Sequence, residues 1–285
     1  MLKKDQEIEI KEILSNASAC IIYTGAGMGV DSGLSVFRGT EGLWEKYPEA
    51  GKIGLSFEKL ANPNNYQKYP EVVIPFYLDR YKSYKNAEPH SGFYELLGYV
   101  SGLKDGYFCV TSNVDGLFQK STFNKERVYE IHGAIDAWQC SNYNCAKKSG
   151  LEGLRYNIEA TYNINEIDDF RCEICGDHIR PNICMFYDFN WYSYKHDLQE
   201  NKYNSFSNKL KERRKKVAII EIGAGEAIRS IKTESELTAY DLNTKVIRIN
   251  KYPVKSDLND PDVITIEMSA AEGVAYIMSL IEEIS

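Results

Sequence analysis

The chain has 285 residues, a length that favours one large domain carrying a smaller inserted one. Its 41 acidic residues outnumber its 34 basic ones, giving a net charge of −7, which argues against binding to nucleic acid. No apolar stretch reaches the roughly 20 residues that span a bilayer, and the first residues lack the apolar core of a secretory signal. We therefore expect a cytoplasmic protein without a membrane or nucleic-acid partner, whose cysteines are metal ligands or core thiols rather than disulfides.

The N-terminal half alternates helical patterns with apolar runs. Residues 6–17 have helical periodicity and predict a first helix, and "ACIIYTGAG" (19–27) predicts a buried parallel strand that ends in glycine. The tyrosine-rich residues 41–106, interrupted at "ANPNNY" and "NAEPHSG", predict several short helices separated by loops. "GYFCVTSNVDG" (106–116) and "RVYEIHGAI" (127–135) predict two further strands.

The C-terminal half repeats the pattern of a strand followed by a glycine loop. After a helical stretch, "KVAIIEIGAGEA" (216–227) and "TKVIRIN" (244–250) predict strands, and "SAAEGVAYIMSLIEEI" (269–284) predicts an amphipathic closing helix. Strands that alternate with helices are typical of an α/β fold with a doubly wound, Rossmann-like parallel sheet. We predict that fold here, with a helical insertion and a small cysteine-bearing module.

Glycine and polar residues follow several of these apolar runs, at the place where doubly wound sheets bind ligands. They are Gly25–Gly27, Ser112–Asp115, His132, Gly223–Gly225 and Asn250. The first glycine loop does not have the Gly-x-Gly-x-x-Gly spacing of nicotinamide-dependent oxidoreductases, and the ribose-binding acid that accompanies that motif is missing. A hydride-transfer enzyme is therefore disfavoured.

Two cysteine pairs predict a metal site. Cys140 and Cys145 are separated by four residues and Cys172 and Cys175 by two, a spacing typical of a tetrahedral structural zinc site. Four thiolates close the coordination sphere of Zn²⁺ and leave no position for water. Such a metal would hold the structure of the module and take no part in chemistry. The alternative is four unrelated core thiols.

Short motifs in a fixed order point to a family. They are "GAGMGVDSGLSVFRG" (25–39), "TSNVDGL" (111–117), "EIHGAI" (130–135), "RPNICMF" (180–186), "IEIGAG" (220–225) and "RIN" (248–250), with the cysteine pairs between the third and the fourth. This order resembles the sirtuins, the Sir2 family of NAD-dependent enzymes, in a divergent, bacterial-type form. The resemblance runs from about residue 20 to the closing helix.

The resemblance implies that NAD is a consumed substrate. In the family the bond between nicotinamide and ribose is cleaved, and the carbonyl oxygen of an acyl-lysine attacks the ribose to give O-acyl-ADP-ribose. His132 would be the general base and Asn113 would position the ribose, so these two residues would be catalytic and would also contact the cofactor. Asp115 would accept hydrogen bonds from the nicotinamide carboxamide. The other implied cofactor contacts are Gly25, Ala26, Gly27, Phe37, Arg38, Ser112, Gly223, Ala224, Gly225 and Asn250.

Several positions depart from the family motifs, and the departure at the acyl-lysine channel makes protein deacylation less secure than NAD binding. Ser35 and Val36 replace the Pro-Asp of the first motif, and Ser112 replaces a glutamine. The family's Gly-Thr-Ser becomes Gly223-Ala224-Gly225, and its Phe-Gly-Glu becomes Phe186-Tyr187-Asp188. In the family the latter segment pairs with the incoming peptide as an added strand. Tyr187 in place of glycine is expected to narrow, close or reshape the channel for acyl-lysine.

Three functions therefore stay open. The first is an NAD-dependent protein-lysine deacylase, the second a mono-ADP-ribosyltransferase or NAD hydrolase acting on another acceptor, and the third a non-catalytic NAD-sensing module. The expected domains are a Rossmann-like NAD-binding domain (1–40, 106–136 and 184–285), a cofactor-binding loop with a helical insertion (41–105) and a zinc-binding module (137–183). The sequence does not specify an oligomeric state.

Overall fold

The β-strands of the protein form two sheets, in a computed structural model that describes residues 2–35, 40–150, 154–155, 157–225, 229–253, 258 and 260–282. The strands are β1 (Ala19–Thr24), β2 (Gly106–Thr111), β3 (Val128–Glu130), β4 (Gly133–Cys140), β5 (Ile179–Ile183), β6 (Val217–Ile222), β7 (Val246–Ile249) and β8 (Val263–Ile266). Six of them form one parallel sheet in the order β3-β2-β1-β6-β7-β8, and β4 pairs with β5 antiparallel.

Helices cover both faces of the large sheet, which confirms the doubly wound α/β fold. The helices are α1 (Lys4–Asn16), α2 (Thr40–Lys46), α3 (Pro48–Lys52), α4 (Phe57–Leu60), α5 (Pro63–Lys68), α6 (Pro70–Asn86), α7 (Ser91–Ser101), α8 (Leu117–Lys120), α9 (Tyr143–Ser149), α10 (Ile158–Thr161), α11 (Tyr194–Glu212), α12 (Ser230–Leu242) and α13 (Ala270–Glu282). On one face α1, α7 and α13 bury apolar residues such as Leu14, Leu96 and Val274. On the other face α11 and α12 bury Phe206 and Ile231.

Most predicted elements are present, but the single strand predicted over residues 127–135 is wrong. The segment forms β3 in the parallel sheet and then β4 in the two-stranded sheet. Gly133 separates the two at a φ of +78°, a left-handed conformation that favours glycine, and a Cβ there would overlap the carbonyl oxygen of Asn182. His132 consequently lies between two sheets instead of inside a strand.

Further elements differ from expectation. The strands β5 and β8 were not anticipated, although every residue in both is buried. Within the predicted run of short helices, α2 to α5 have four to seven residues, whereas α6 extends over 17 residues with Pro75 inside it. None of the helices within the described ranges is both long enough and apolar enough to cross a membrane.

The helical insertion and the cysteine-bearing segment share a hydrophobic core. Phe76 and Tyr81 of α6 belong to the same buried cluster as Trp138 of β4 and Phe170. The rings of Tyr81 and Trp138 meet edge to face with centroids 6.4 Å apart. The proposed domain boundaries stay a prediction, but this shared core makes the insertion a rigid support for the two-stranded sheet.

Candidate functional site

The two glycine loops lie where the connections of the large sheet reverse direction. From β1 the chain proceeds outward through β2 and β3, and from β6 it proceeds outward the other way through β7 and β8. Gly25 directly follows β1 and Gly223 directly follows β6. Doubly wound folds bind their ligands beyond the carboxyl ends of the strands at such a reversal. Fold topology alone therefore marks this edge as the candidate site.

The glycines of the two loops permit direct backbone packing. A Cβ on Gly27 would lie 2.6 Å from the Cα of Gly223, and a Cβ on Gly25 would lie 2.7 Å from the carbonyl oxygen of Gly223. Gly223 itself has a φ of +65°. Any side chain at these three positions would push the loops apart, so glycine is required by the approach of one backbone to the other.

The same packing determines which backbone N–H groups face a ligand. The N–H of Gly25 donates to the carbonyl of Ile222 and that of Gly27 to the carbonyl of Gly223, each at 2.9 Å. These two groups are occupied. The N–H groups of Ala26, Ala224 and Gly225 have no hydrogen-bond acceptor within the described residues. They are the donors that the two loops offer at this edge.

Asn113 is fixed against the first glycine loop. Its side-chain Nδ2 donates to the carbonyl of Gly25 at 2.9 Å, and its backbone N–H donates to the hydroxyl of Thr111 at 3.0 Å. The N–H of Ser112 donates to the carbonyl of Thr24 at 3.0 Å. The segment after β2 is thus held beside the end of β1, with the amide oxygen of Asn113 left as an acceptor.

His132 is placed as a neutral imidazole. Its Nδ1 lies 3.3 Å from the carbonyl oxygen of Ser112. Because a carbonyl oxygen only accepts, Nδ1 carries the proton and Nε2 presents its lone pair. Burial lowers the pKa of His132 below its usual value, and the hydrogen bond to the carbonyl of Ser112 opposes this shift only in part. The ring is therefore ready to accept a proton at neutral pH.

The carboxylate of Asp115 lies close to Gly29, which follows the first glycine loop. Its Oδ1 accepts the N–H of Leu117 at 2.9 Å, and a Cβ on Gly29 would lie 3.4 Å from its Oδ2. Burial, with a smaller contribution from the negative charge of Glu130, raises the pKa of Asp115 to about 6. With this pKa the Asp115 carboxylate is mostly ionised at pH 7 and becomes protonated as the pH falls through about 6.

Asn250 supports the second glycine loop. Its Nδ2 donates to the carbonyl of Ala224 at 2.9 Å, and its Oδ1 accepts the N–H of Tyr252 at 3.1 Å. The structure thus brings every candidate cofactor residue among the described ones to one edge of the sheet, from His132 to Asn250. Phe37 and Arg38, also expected to contact the cofactor, lie outside the described residues.

The four cysteines of the predicted metal site converge. The sulfur atoms of Cys140, Cys145, Cys172 and Cys175 all lie within 4.8 Å of one another. The separation is 3.4 Å between Cys140 and Cys175 and 3.8 Å between Cys145 and Cys172. Tetrahedral Zn²⁺ with bonds of about 2.3 Å needs sulfur separations of about 3.8 Å. The cluster fits a structural zinc ion, and the reading of four unrelated core thiols is wrong.

Backbone N–H groups favour the thiolate of Cys172, whereas burial raises the pKa of Cys140 and Cys145. Burial opposes the ionisation of Cys172, but backbone N–H groups of Ile174 and Cys175 directed at its sulfur bring its pKa below the usual value. Asn142 donates its N–H to the sulfur of Cys140 at 3.4 Å. Such N–H groups stabilise sulfur-centred negative charge, and a bound Zn²⁺ would supply the remaining compensation. The zinc would stabilise this module by joining its two cysteine pairs.

Asp188 anchors the segment Phe186-Tyr187-Asp188 through a buried ion pair. Its carboxylate accepts two hydrogen bonds from the guanidinium of Arg180, at 2.6 and 2.9 Å, and both side chains are inaccessible to solvent. Tyr187 has a φ of +58° and its side chain is exposed. The ring therefore extends into solvent instead of filling the core.

Two supporting residues were not found from the sequence. Glu130 is a buried carboxylate that accepts hydrogen bonds from Lys195 at 2.9 Å and Gln199 at 3.1 Å, two residues before His132. His90 begins α7 as its N-cap, and its Nε2 lies 3.0 Å from the carbonyl of Met28 in the first glycine loop. A polar residue directly before the apolar periodicity of α7 was the available signal for His90. Glu130 had none, because its partners come from a distant helix.

Comparisons with known proteins agree with this geometry. The protein-family model described as the Sir2 family matches residues 25–218. The NAD-dependent protein deacylase 2 of Pyrobaculum aerophilum is 30% identical over 184 residues, which are 63% of this chain and 63% of the relative. The NAD-dependent protein deacetylase of Sulfolobus acidocaldarius is 32% identical over 184 residues, 62% of this chain and 63% of the relative. The chain thus spans just under two thirds of the length of these relatives.

Solved structures share the architecture. A crystal structure of a Sir2 homologue–NAD complex superposes with a TM-score of 0.71 at 21% identity, covering 100% of this chain and 95% of that chain. The structure of Sir2Tm bound to a propionylated peptide superposes with a TM-score of 0.66 at 19% identity, covering 99% and 100%. At these identities the superpositions establish the fold.

Proposed function

We propose that this chain, which belongs to the Sir2 family, is an NAD-dependent protein-lysine deacylase that releases nicotinamide and O-acyl-ADP-ribose. The observation that carries the proposal is the neutral His132, whose Nδ1 is bound to the carbonyl of Ser112, next to the Asn113 that contacts the first glycine loop. The names of the relatives support the same activity, although the chain spans only 63% of the length of the first of them. Cytoplasmic residence stays a prediction.

NAD is expected to lie across the two glycine loops. The unoccupied N–H groups of Ala26, Ala224 and Gly225 are suited to the oxygens of its diphosphate, as backbone donors are in other phosphate-binding loops. Asn250 holds the loop that carries two of these donors through its bond to the carbonyl of Ala224. When bound, NAD supplies the glycosidic bond that is broken and the ribose to which the acyl group moves.

His132 and Asn113 would act on the ribose. Nε2 of His132 accepts a proton from a ribose hydroxyl, which makes that oxygen a better nucleophile, while the proton on Nδ1 stays bonded to the carbonyl of Ser112. The oxygen of the Asn113 amide is the group left to hold the ribose, since its nitrogen is bound to Gly25. A positioned general base of this kind contributes typically about 10²- to 10⁴-fold to rate.

Asp115 would orient the nicotinamide. One carboxylate oxygen is bound to the N–H of Leu117, and the other faces the first glycine loop, where it can accept N–H donors of the carboxamide. Zn²⁺ in the four-cysteine module would keep the two-stranded sheet folded beside the site and would contact no reactant. The protein partner is an acyl-lysine substrate.

A second candidate function has one observation in its favour. Tyr187, at the position where the family has glycine, has a φ of +58° in a turn that begins one residue after Cys184, which is bound to the carbonyl of His132. If its ring excludes acyl-lysine, the same base and the same NAD site would serve a mono-ADP-ribosyltransferase or an NAD hydrolase. A non-catalytic NAD-sensing module is the third alternative.

One experiment separates these functions. The purified protein is incubated with NAD and acetyl-, succinyl- and long-chain acyl-lysine peptides, and nicotinamide and peptide mass are followed together. Release of nicotinamide in equal amount to acyl loss supports the deacylase, and release while every peptide keeps its acyl group supports transfer or hydrolysis. If the protein binds NAD but leaves it intact after long incubation, both enzymatic functions are excluded and the non-catalytic sensing module is the remaining alternative. His132→Ala should slow turnover by about 10²- to 10⁴-fold, whereas the matched variant His178→Ala, in the cysteine module, should keep the wild-type rate.

A further inference from the structure

We propose that the turn of residues 185–190, here named the aromatic turn, binds an apolar or aromatic side chain that flanks the acylated lysine of the substrate protein. This proposal rests on the proposed function, whose substrate it narrows to sequences with such a side chain near the lysine. Tyr187 and Phe189 supply the binding surface.

Exposure of the two rings is the first observation. Tyr187 is 78% exposed and Phe189 is 90% exposed. Within the described part of the chain, Tyr240 is the only other aromatic residue more than three quarters exposed, at 84%. Two large rings on one short turn form an apolar surface that water solvates poorly, and such surfaces commonly mark sites of association.

The turn is rigid, which distinguishes it from an ordinary surface loop. The carboxylate of Asp188, at its centre, binds Arg180 and also accepts the N–H groups of Met185 at 3.2 Å and Asn190 at 3.1 Å. A buried acceptor bound on both sides of the turn fixes the backbone between the two rings. Rings that are already fixed lose little conformational entropy when a partner covers them, so the full apolar contact favours binding.

The conformation of Tyr187 points the same way. At a φ of +58° its backbone is left-handed, a conformation that costs free energy for any residue with a Cβ and none for glycine. Thr122, Arg214 and Asn243 also have a left-handed backbone, but among the described positions Tyr187 is the only aromatic residue with one. Strained residues that persist are concentrated at binding and catalytic sites. The conformation of Tyr187 is consistent with a binding role for its ring.

The aromatic turn is within reach of a substrate held at His132. Cys184, directly before the turn, donates its N–H to the carbonyl of His132 at 3.0 Å, and Phe186 donates to the carbonyl of Ala61 at 2.8 Å. Three residues span at most about 11 Å, so Tyr187 lies within that distance of Cys184. The aromatic turn therefore lies within the distance that residues flanking the lysine of a bound polypeptide can reach.

The test measures sequence preference directly. Acyl-lysine peptides that differ only in one residue beside the lysine (phenylalanine, leucine, glycine or arginine) are compared by kcat/KM. The wild type should favour phenylalanine over glycine by roughly 10- to 100-fold, and Tyr187→Gly and Phe189→Ala should each remove most of that preference without changing the KM for NAD. Tyr240→Ala is the matched control, since its ring is equally exposed but lies on α12, and it should keep the full preference.

Stability measurements separate loss of recognition from loss of structure. Tyr187→Gly removes the left-handed strain, so its melting temperature should stay unchanged or rise while its preference disappears. A preference that survives in both variants overturns the proposal, as does a preference for arginine over phenylalanine.

Peptide binding keeps the proposal testable if the protein turns over no acylated peptide. That result would refute the proposed deacylase activity. Fluorescence anisotropy of the same peptides, labelled, would then show whether the aromatic turn binds an apolar side chain. Tighter binding of the phenylalanine peptide that is lost in Tyr187→Gly and Phe189→Ala supports it. Equal binding of the phenylalanine and glycine peptides by the wild type refutes it.

Discussion

Replacing Gly223 with alanine should unfold the junction of the two glycine loops. A Cβ on Gly223 would lie 2.5 Å from the carbonyl carbon and the Cα of Gly27 and from the nitrogen of Met28, all of them backbone atoms. The φ of +65° adds about 1–2 kcal/mol for a residue other than glycine. Overpacking against atoms that cannot rotate away adds about 1–3 kcal/mol. We therefore expect a loss of about 2–5 kcal/mol in the free energy of unfolding.

Two other glycines provide matched controls. Gly225, in the same loop, and Gly98, inside α7, have nothing within 4 Å of the added Cβ and no left-handed backbone. Gly225→Ala should change stability little, and Gly98→Ala should raise it by about 0.5–1 kcal/mol because alanine favours the helix. Denaturant unfolding of the three variants measures these differences. If Gly223→Ala loses less than about 1 kcal/mol, or no more than Gly225→Ala, the inferred contact between the loops is wrong.

Three further predictions concern the site and its supports. His132, whose pKa is lowered, and Asp115, whose pKa is about 6, would both act in their unprotonated forms. The rate of nicotinamide release should therefore be constant above about pH 7 and fall below about pH 6. A rate that already declines as the pH is lowered towards 7 would contradict these roles. Removal of metal with a chelator, or the substitution Cys172→Ser, should lower the melting temperature by at least about 5 °C. Added Zn²⁺ should restore the chelated wild type but not the variant. Identical melting temperatures with and without chelator would count against the zinc site. Arg180→Met leaves the Asp188 carboxylate buried without its partner and should lower the free energy of unfolding by about 3–5 kcal/mol, as measured by denaturant unfolding. The double variant Arg180→Met/Asp188→Asn should recover part of this loss. If it recovers none, the broken ion pair is not the cause.

Local sequence signals were sufficient for the strands that carry the site. The runs that form β1, β2, β6 and β7 are mostly apolar, because a parallel strand with helices on both faces has no solvent side, and the two charged residues in them, Glu221 and Arg248, form a buried ion pair. The same rule predicted a single strand over residues 127–135, where the structure has β3 followed by β4. There the apolar pattern continues across Gly133, while the backbone turns from one sheet into the other. Apolar character reports burial, and it does not report which sheet a residue joins.

The sequence by itself determined the alternation of strands and helices that is typical of the fold class, the position of the glycine loops at strand ends, and the identity of the four cysteines, because each of these depends on residue type and on spacing along the chain. Only the tertiary structure decided how the parts meet. It assigned the Nδ1 proton of His132 through the carbonyl of Ser112, and it used the N–H groups of Gly25 and Gly27 to join the loops. It also paired Asp188 with Arg180 across a turn and directed Tyr187 into solvent. Hydrogen-bond partners and side-chain directions depend on which backbone atoms come within about 3 Å, and no pattern along a single chain contains that information.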